Sequence, residues 1–138
     1  MKKKIVILIP ARYESTRFNG KPLAKINGKE MILRVIERST YNYEVIAVVN
    51  DNRIVSLIKE NGYKYILINQ DCKTGTDRIF LALKKLKLKE DDIVINVQGD
   101  EPMISPWMID KVVETKIKHP NHVVNAFSKI NSLEELDS

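Results

Sequence analysis

The apolar residues of the chain gather in short runs, which are separated by segments with helical spacing. The runs are rich in Val and Ile and lack regular alternation with polar residues. They occupy residues 5–9, 45–49, 65–68, 93–97 and 123–127. Continuous apolar runs of this length are typical of strands that are buried on both faces, as in parallel sheets. The pattern therefore predicts five buried strands.

The segments between the runs carry apolar residues that recur every three or four positions, which is the spacing of one helix face. These stripes are Met31, Ile32, Val35 and Ile36; Ile79, Phe80, Leu83 and Leu86; and Met108, Ile109, Val112, Val113 and Ile117. A shorter helix is predicted over residues 52–61, and it ends before Gly62. Ser105 and Pro106 suit the N-cap and the first position of the last helix.

Strands that alternate with helices predict right-handed βαβ units. We therefore expect an α/β fold with a Rossmann-like, doubly wound, mostly parallel sheet and helices on both faces. The 138 residues suit one domain with one core. Ligands of such sheets bind beyond the carboxyl ends of the strands. The segments that follow residues 9, 49, 68 and 97 are therefore where a site is expected.

The charge balance adds little to the prediction of the fold. The formal net charge is +5, from 23 Lys and Arg residues against 18 Asp and Glu residues, and the basic residues are spread along the chain. A single-strand nucleic-acid binder needs aromatic residues interleaved with basic ones, so this class is disfavoured. Cys72 is the only cysteine, which excludes an intrachain disulfide and suits a reducing cytosol. No apolar run approaches the roughly 18 residues of a membrane span.

The connection after the first run, residues 10–23, is longer than an ordinary βα loop, and such loops are usually functional. Its side chains suit a polyphosphate. They include Arg12, Ser15, Thr16, Arg17 and Lys21. Cations offset phosphate charge, while hydroxyl and backbone N–H groups bind phosphate oxygens. The segment is not a Walker A loop, because Pro22 stands where Ser or Thr would hold magnesium. On composition alone, a polar surface loop that binds nothing explains it equally well.

Two adjacent carboxylates, Asp100 and Glu101, follow the fourth run and the intervening Gly99. Carboxylates at the end of a buried strand suit Mg²⁺, which takes one or two of them together with water and substrate phosphates. The alternative is a solvated turn whose acids stabilise the N-terminus of the next helix.

A third segment, residues 74–78, precedes the second apolar helical stripe. Thr74 or Thr76 suits the N-cap of that helix, and Gly75 permits a tight bend. Capping alone is enough to explain these residues.

The three segments together resemble a known family. The pattern Pro-Ala-Arg-x-x-Ser-x-Arg with Gly-Lys-Pro-Leu downstream is similar to the signature loop of the nucleotide-sugar cytidylyltransferases. Thr-Gly-Thr-Asp-Arg at 74–78 resembles a second motif of that family, with Thr74 in place of the usual Ser. Residues 96–104 closely resemble the motif of the 3-deoxy-manno-octulosonate (Kdo) cytidylyltransferases. The fold that this implies is the nucleotide-diphospho-sugar transferase type.

The resemblance implies roles for individual residues. The positions that it implies for nucleotide binding are Pro10, Ala11, Arg12, Ser15, Arg17, Lys21, Thr74, Gly75 and Arg78. Those that it implies for catalysis are Arg12, Lys21 and Asp100, with Asp100 as the ligand of Mg²⁺. Gln98 and Arg78 are then the residues that bind the sugar acid.

The implied reaction is CTP plus Kdo giving CMP-Kdo and pyrophosphate, for lipopolysaccharide biosynthesis. The resemblance further implies a cytoplasmic location and a homodimer in full-length members. It covers only the front part of the usual family length, so the nucleotide-binding domain, residues 1–138, is expected to be incomplete at its C-terminus.

Three positions depart from the family pattern. Cys72 stands where a His is frequent, Ile68 where a Thr is, and Asn50 where a Thr usually precedes the Asp. Cys72 is interpreted as a passive loop residue. These departures leave open whether the sugar acid is Kdo, an amino-Kdo or a nonulosonic acid. A truncated CTP-binding module without catalysis is the remaining alternative.

Overall fold

The strands of the protein form a central parallel sheet and a small antiparallel ribbon. The structure, a computed structural model, describes residues 4–14, 19–40, 42–70, 75–88, 92–99 and 105–118. The strands are β1 (Ile5–Ala11), β2 (Lys25–Ile26), β3 (Lys29–Glu30), β4 (Glu44–Val49), β5 (Lys64–Leu67) and β6 (Ile93–Asn96). In the described ranges the sheet has four strands in the order β5-β4-β1-β6, and each neighbouring pair is parallel.

Four α-helices in the described part of the chain connect or follow these strands. They are α1 (Met31–Ser39), α2 (Asn52–Glu60), α3 (Gly75–Lys85) and α4 (Pro106–Lys118). A short 3-10 helix, Lys21–Leu23, precedes β2. The predicted boundaries agree closely: α4 begins at Pro106, and α2 ends two residues before Gly62, which has φ +78°.

The two faces of the sheet are covered by different helices. Alternate residues of β1 divide between them: Ile7 and Ile9 pack with apolar residues of α1, α2 and α4, whereas Val6 and Leu8 pack with α3. Strand β4 divides in the same way. The molecule is thus a Rossmann-like, mostly parallel α/β layer structure with helices on both faces, as the sequence predicts.

The prediction of strands buried on both faces holds for the centre of the sheet. Every residue from Val6 to Ala11 and from Val45 to Val49 is buried. It is wrong for β5, where Lys64 and Tyr65 are exposed, because β5 lies at the edge of the sheet. The run at residues 123–127 lies outside the described residues.

The β2–β3 ribbon is a hairpin that the apolar pattern does not predict. Asn27 and Gly28 connect its strands, and both have positive φ, +51° and +83°, as two-residue hairpin turns require. Arg34 of α1 fastens the turn, because its guanidinium donates to the carbonyls of Ile26 (2.7 Å) and Asn27 (3.0 Å). The Asn-Gly pair is a recognisable hairpin signal, but the strands are too short to form an apolar run.

Among the described residues, no helix combines the length and the apolar character that crossing a membrane requires.

Candidate functional site

The first loop leaves the carboxyl end of the central strand. Pro10 and Ala11, predicted as part of this loop, belong instead to β1, which is longer than the apolar run, and both are buried. We define the first loop as residues 12–20. Its flanking cations, Arg12 and Lys21, have exposed side chains.

Several predicted residues of the first connection lie outside the described ranges. They are Ser15, Thr16 and Arg17. Their roles stay predictions, as do those of Arg12 and Lys21.

A backbone hydrogen bond closes the base of the first loop. The N–H of Gly20 donates to the carbonyl oxygen of Tyr13 at 2.6 Å. Gly20 has φ +76°, and a Cβ placed on it would lie 3.1 Å from the Tyr13 ring. Glycine is therefore required here both for the left-handed backbone and for the approach of the ring.

The turn between β4 and α2 fastens the same loop from the side. The Asn50 side chain accepts from the Tyr13 N–H at 2.9 Å and donates to the Glu14 carboxylate at 2.8 Å. The guanidinium of Arg53 lies over the Tyr13 ring, 3.3 Å from its centroid. These contacts join segments that are more than thirty residues apart, as the 37-residue separation of Tyr13 and Asn50 illustrates.

Asp51 holds both Arg53 and the start of α2. Its carboxylate accepts from the Arg53 backbone N–H at 2.8 Å, as an N-cap does, and from the guanidinium at 2.9 and 2.7 Å. The hydrogen bond from the Arg53 side chain lowers the pKa of the Asp51 carboxyl. Sequence alone gives Asn50 only as a departure from the family pattern, and Tyr13 and Arg53 carry no signal until the tertiary structure brings them together.

The turn after β6 lies against the end of β1. A Cβ on Gly99 would lie 2.5 Å from the Pro10 carbonyl oxygen, so a side chain is excluded without a backbone shift. The N–H of Val97 donates to Leu8 at 3.0 Å, which continues the pairing of β6 with β1. Gln98, which follows Val97, is exposed. The first loop and the residues that follow Val97 therefore start from the ends of neighbouring strands.

The predicted metal ligand Asp100 and its neighbour Glu101 lie outside the described residues. Within the part that the structure describes, no three His, Cys, Asp or Glu side chains group together as a metal site would need. Asp100 directly follows Gly99 in the sequence, and Gly99 lies against the Pro10 carbonyl near the carboxyl end of β1. Carboxylate oxygens are the donors that Mg²⁺ prefers.

The third motif begins helix α3. Gly75 is its first residue and Thr76 lies in its first turn, and the capping of the helix by Thr74 or Thr76 stays a prediction. Thr74 and Cys72 lie outside the described residues. Arg78 is 3% exposed, and its guanidinium donates to the Ile68 carbonyl at 2.9 Å. Arg78 therefore ties α3 to the segment that follows β5, and its predicted contacts with nucleotide and sugar acid stay predictions.

A separate group of polar contacts lies at the amino-terminal ends of the sheet strands, opposite the predicted site. The Tyr43 hydroxyl donates to the Asp110 carboxylate at 2.7 Å. Burial, followed by this hydrogen bond, raises the pKa of Tyr43 to about 12. Close by in sequence, Glu44 pairs with Lys64 at 2.6 Å and with Lys4 at 3.5 Å, and the Lys64 hydrogen bond lowers the pKa of Glu44. The Tyr43 contact joins the start of β4 to α4, and the Glu44 pairs join the starts of β1, β4 and β5, all away from the predicted site.

Comparison with known proteins gives consistent similarities. The family model described as Cytidylyltransferase matches residues 6–138. The chain is 45% identical over 139 residues to the 3-deoxy-manno-octulosonate cytidylyltransferase of Desulfatibacillum aliphaticivorans, covering 97% of this chain and 57% of that protein. It is 45% identical over 119 residues to the 8-amino-3,8-dideoxy-manno-octulosonate cytidylyltransferase of Shewanella sp. (strain ANA-3), covering 84% and 49%.

A solved structure has the same fold. It is a CMP:2-keto-3-deoxy-manno-octonic acid synthetase complexed with CTP, with a TM-score of 0.79 and 39% identity. The match covers 86% of this chain and 49% of that one. The chain therefore spans about half the length of the relatives that it matches.

Proposed function

The chain belongs to the cytidylyltransferase family, and from this premise we propose that it forms the nucleotide-binding part of an enzyme that makes CMP-Kdo from CTP and Kdo. The observation that carries the proposal is the 45% identity to a 3-deoxy-manno-octulosonate cytidylyltransferase over 97% of the chain. The similarity to a synthetase complexed with CTP supports the nucleotide assignment.

In the proposed reaction a hydroxyl oxygen of Kdo bonds to the α-phosphorus of CTP. The bond from that phosphorus to the oxygen bridging to the β-phosphate breaks, pyrophosphate leaves with the bond's electron pair, and the hydroxyl proton is lost to solvent. The protein's contribution is mainly positioning and charge stabilisation.

The proposed roles follow the position of each residue. Arg12 and Lys21, exposed at the two ends of the first loop, hold the triphosphate and offset the charge that develops on pyrophosphate. Further nucleotide contacts are assigned to Ser15, Arg17, Thr74 and Gly75. The sugar acid is assigned to Gln98 and to Arg78.

The proposed cofactor is Mg²⁺, held by Asp100. When bound, the ion neutralises phosphate charge and orients the reacting groups. Full-length members are expected to act as homodimers in the cytoplasm, where CMP-Kdo serves lipopolysaccharide synthesis.

A second candidate substrate has its own support. The 45% identity to an 8-amino-3,8-dideoxy-manno-octulosonate cytidylyltransferase equals that to the Kdo enzyme, although over a smaller share of the chain. Comparing pyrophosphate release with Kdo and with 8-amino-Kdo discriminates the two. The chain spans about half of each relative. A third outcome is therefore CTP binding without pyrophosphate release from either sugar acid.

The first test is calorimetric titration with CTP and Mg²⁺, using ATP, GTP and UTP as controls. Selective CTP binding is the expected result, and pyrophosphate release with Kdo is then measured. Replacing Asp100 with Ala is expected to abolish turnover while leaving the unfolding midpoint unchanged. Near-normal turnover in Asp100→Ala would end the metal-ligand assignment, and equal binding of all four nucleotides would end the CTP assignment.

A further inference from the structure

Tyr13 is held by three contacts, one with Gly20 of the same loop and two with Asn50 and Arg53 of another segment. Its N–H donates to Asn50 at 2.9 Å, and its carbonyl accepts from Gly20 at 2.6 Å. Its ring lies under the Arg53 guanidinium and against the space where a Gly20 Cβ would stand. We call Tyr13, Gly20, Asn50, Asp51 and Arg53 the Tyr13 anchor.

The geometry points to a positioning role for Asn50 and Arg53: through Tyr13 they hold the base of the first loop, Tyr13 with Gly20, so that Arg12 and Lys21 beside it are placed to receive the triphosphate of the nucleotide. This inference rests on the proposed function, because it assumes that the loop binds phosphate groups. Neither residue needs to contact the ligand itself.

The anchor fixes the spacing of the two proposed phosphate-binding cations. Arg12 directly precedes Tyr13 and Lys21 directly follows Gly20, so the Gly20–Tyr13 hydrogen bond brings their backbones together. Both residues are exposed beside this closed base. Holding a loop in its bound conformation before the ligand arrives lowers the ordering cost of binding.

Arg53 suits this task because its guanidinium is already fixed. Both carboxylate oxygens of Asp51 accept from it, at 2.9 and 2.7 Å, while Asp51 also caps α2. The flat face of the Arg53 guanidinium lies over the Tyr13 ring, with Cζ 3.3 Å from the ring centroid. Lysine supplies the same charge but neither the fork nor the flat face, so the position is specific for arginine.

The role in phosphate binding differs from a general contribution to folding. An anchor that acts on the polyphosphate loop affects CTP, which has three phosphates, far more than CMP, which has one. A residue that only stabilises the fold changes the unfolding midpoint and leaves the ratio of CTP to CMP affinity unchanged.

The test measures Kd for CTP and for CMP with Mg²⁺ in the wild-type chain, Asn50→Ala, Arg53→Lys and Asn50→Thr. Amide hydrogen exchange at Gly20 reports the closure of the loop base independently of any ligand. Lys59→Ala is the control, because Lys59 is exposed on the same helix and lies outside the anchor.

We expect Asn50→Ala and Arg53→Lys to weaken CTP about fivefold or more while CMP changes less than about twofold. Gly20 exchange accelerates in both variants. Asn50→Thr keeps an oxygen acceptor for the Tyr13 N–H and largely restores CTP affinity, and Lys59→Ala matches the wild type.

Unchanged CTP affinity in both variants, with accelerated Gly20 exchange, would overturn the positioning role and leave the proposed function standing. Equal loss of CTP and CMP affinity would also overturn it. A wild-type chain that binds no CTP would instead remove the proposed function, and with it the role of the anchor in nucleotide binding.

Discussion

The first loop and the start of α3 both lie at the carboxyl end of the sheet, but they are fastened by different contacts. The first loop is held by partly exposed groups, Asn50, Asp51 and Arg53, which lie in another turn. The start of α3 is held by one buried side chain, Arg78, on a backbone carbonyl. The base of the first loop therefore depends on several partly exposed contacts, whereas the start of α3 depends on one buried hydrogen bond.

Replacing Arg78 with Met tests the buried hydrogen bond at the start of α3 and has the largest expected effect on unfolding free energy. Without the guanidinium, the Ile68 carbonyl loses its 2.9 Å donor, and a buried acceptor left unpaired costs about 1–3 kcal/mol. Urea denaturation measures the loss in unfolding free energy. Lys84→Met is the control, because Lys84 is exposed on the same helix. Equal effects of the two changes would contradict the assignment of Arg78 as the fastening of α3.

Replacing Gly20 with Ala tests the base of the first loop, with an intermediate effect. An L-residue at φ +76° is strained by roughly 1–2 kcal/mol. Gly28→Ala is the matched control, because its φ of +83° is similar and nothing lies within 4 Å of its Cβ position. The Tyr13 ring, 3.1 Å from a Gly20 Cβ, adds a further cost at Gly20 alone. If thermal unfolding shows Gly28→Ala to be the worse change, the contact with Tyr13 does not constrain the loop.

Replacing Asp51 with Asn at two pH values tests the contacts of the first loop and has the smallest expected effect. The pKa of Asp51 lies below its ordinary value, so its ion pair stabilises the fold above that value and loses this contribution as pH falls through the lowered pKa. Asp51→Asn retains a capping side chain and should cost about 0.3–1 kcal/mol at neutral pH. The cost should shrink below roughly pH 3.9. Urea denaturation of the wild type and of Asp51→Asn at neutral pH and below roughly pH 3.9 measures this cost. A cost that is the same at both pH values would contradict the prediction.

The centre of the fold follows from local pattern, whereas its edges do not. The apolar runs of β1 and β4 are buried on both faces because these strands lie at the centre of the sheet, where α1, α2 and α4 cover one face and α3 covers the other. The run at β5 has a similar composition but forms an edge strand, and its residues do not predict this position. The β2–β3 hairpin depends on the Asn27–Gly28 turn and on Arg34, rather than on apolar periodicity.

The site divides in the same way. Sequence order is enough to identify the segments that hold Arg12, Lys21, Gln98 and Arg78, because the motifs have fixed spacing. The burial of Arg78 and the contacts of Asn50 with Tyr13 depend on how distant segments meet. Gly99 illustrates the limit: its sequence position permits a sharp turn or a close approach to a ligand, while the structure gives a steric reason for glycine, the Pro10 carbonyl.

The sheet order has a consequence for synthesis on the ribosome. Strand β1 is made first, yet it lies between β4 and β6, and its pairing with β6 joins residues 88 positions apart, as the register of Ile5 with Ile93 shows. At about 5–20 residues per second, one edge of the nascent β1 waits roughly 4–18 s for its partner. During that interval the apolar strand is open to pairing with other chains, so delayed translation between β4 and β6 should favour aggregation.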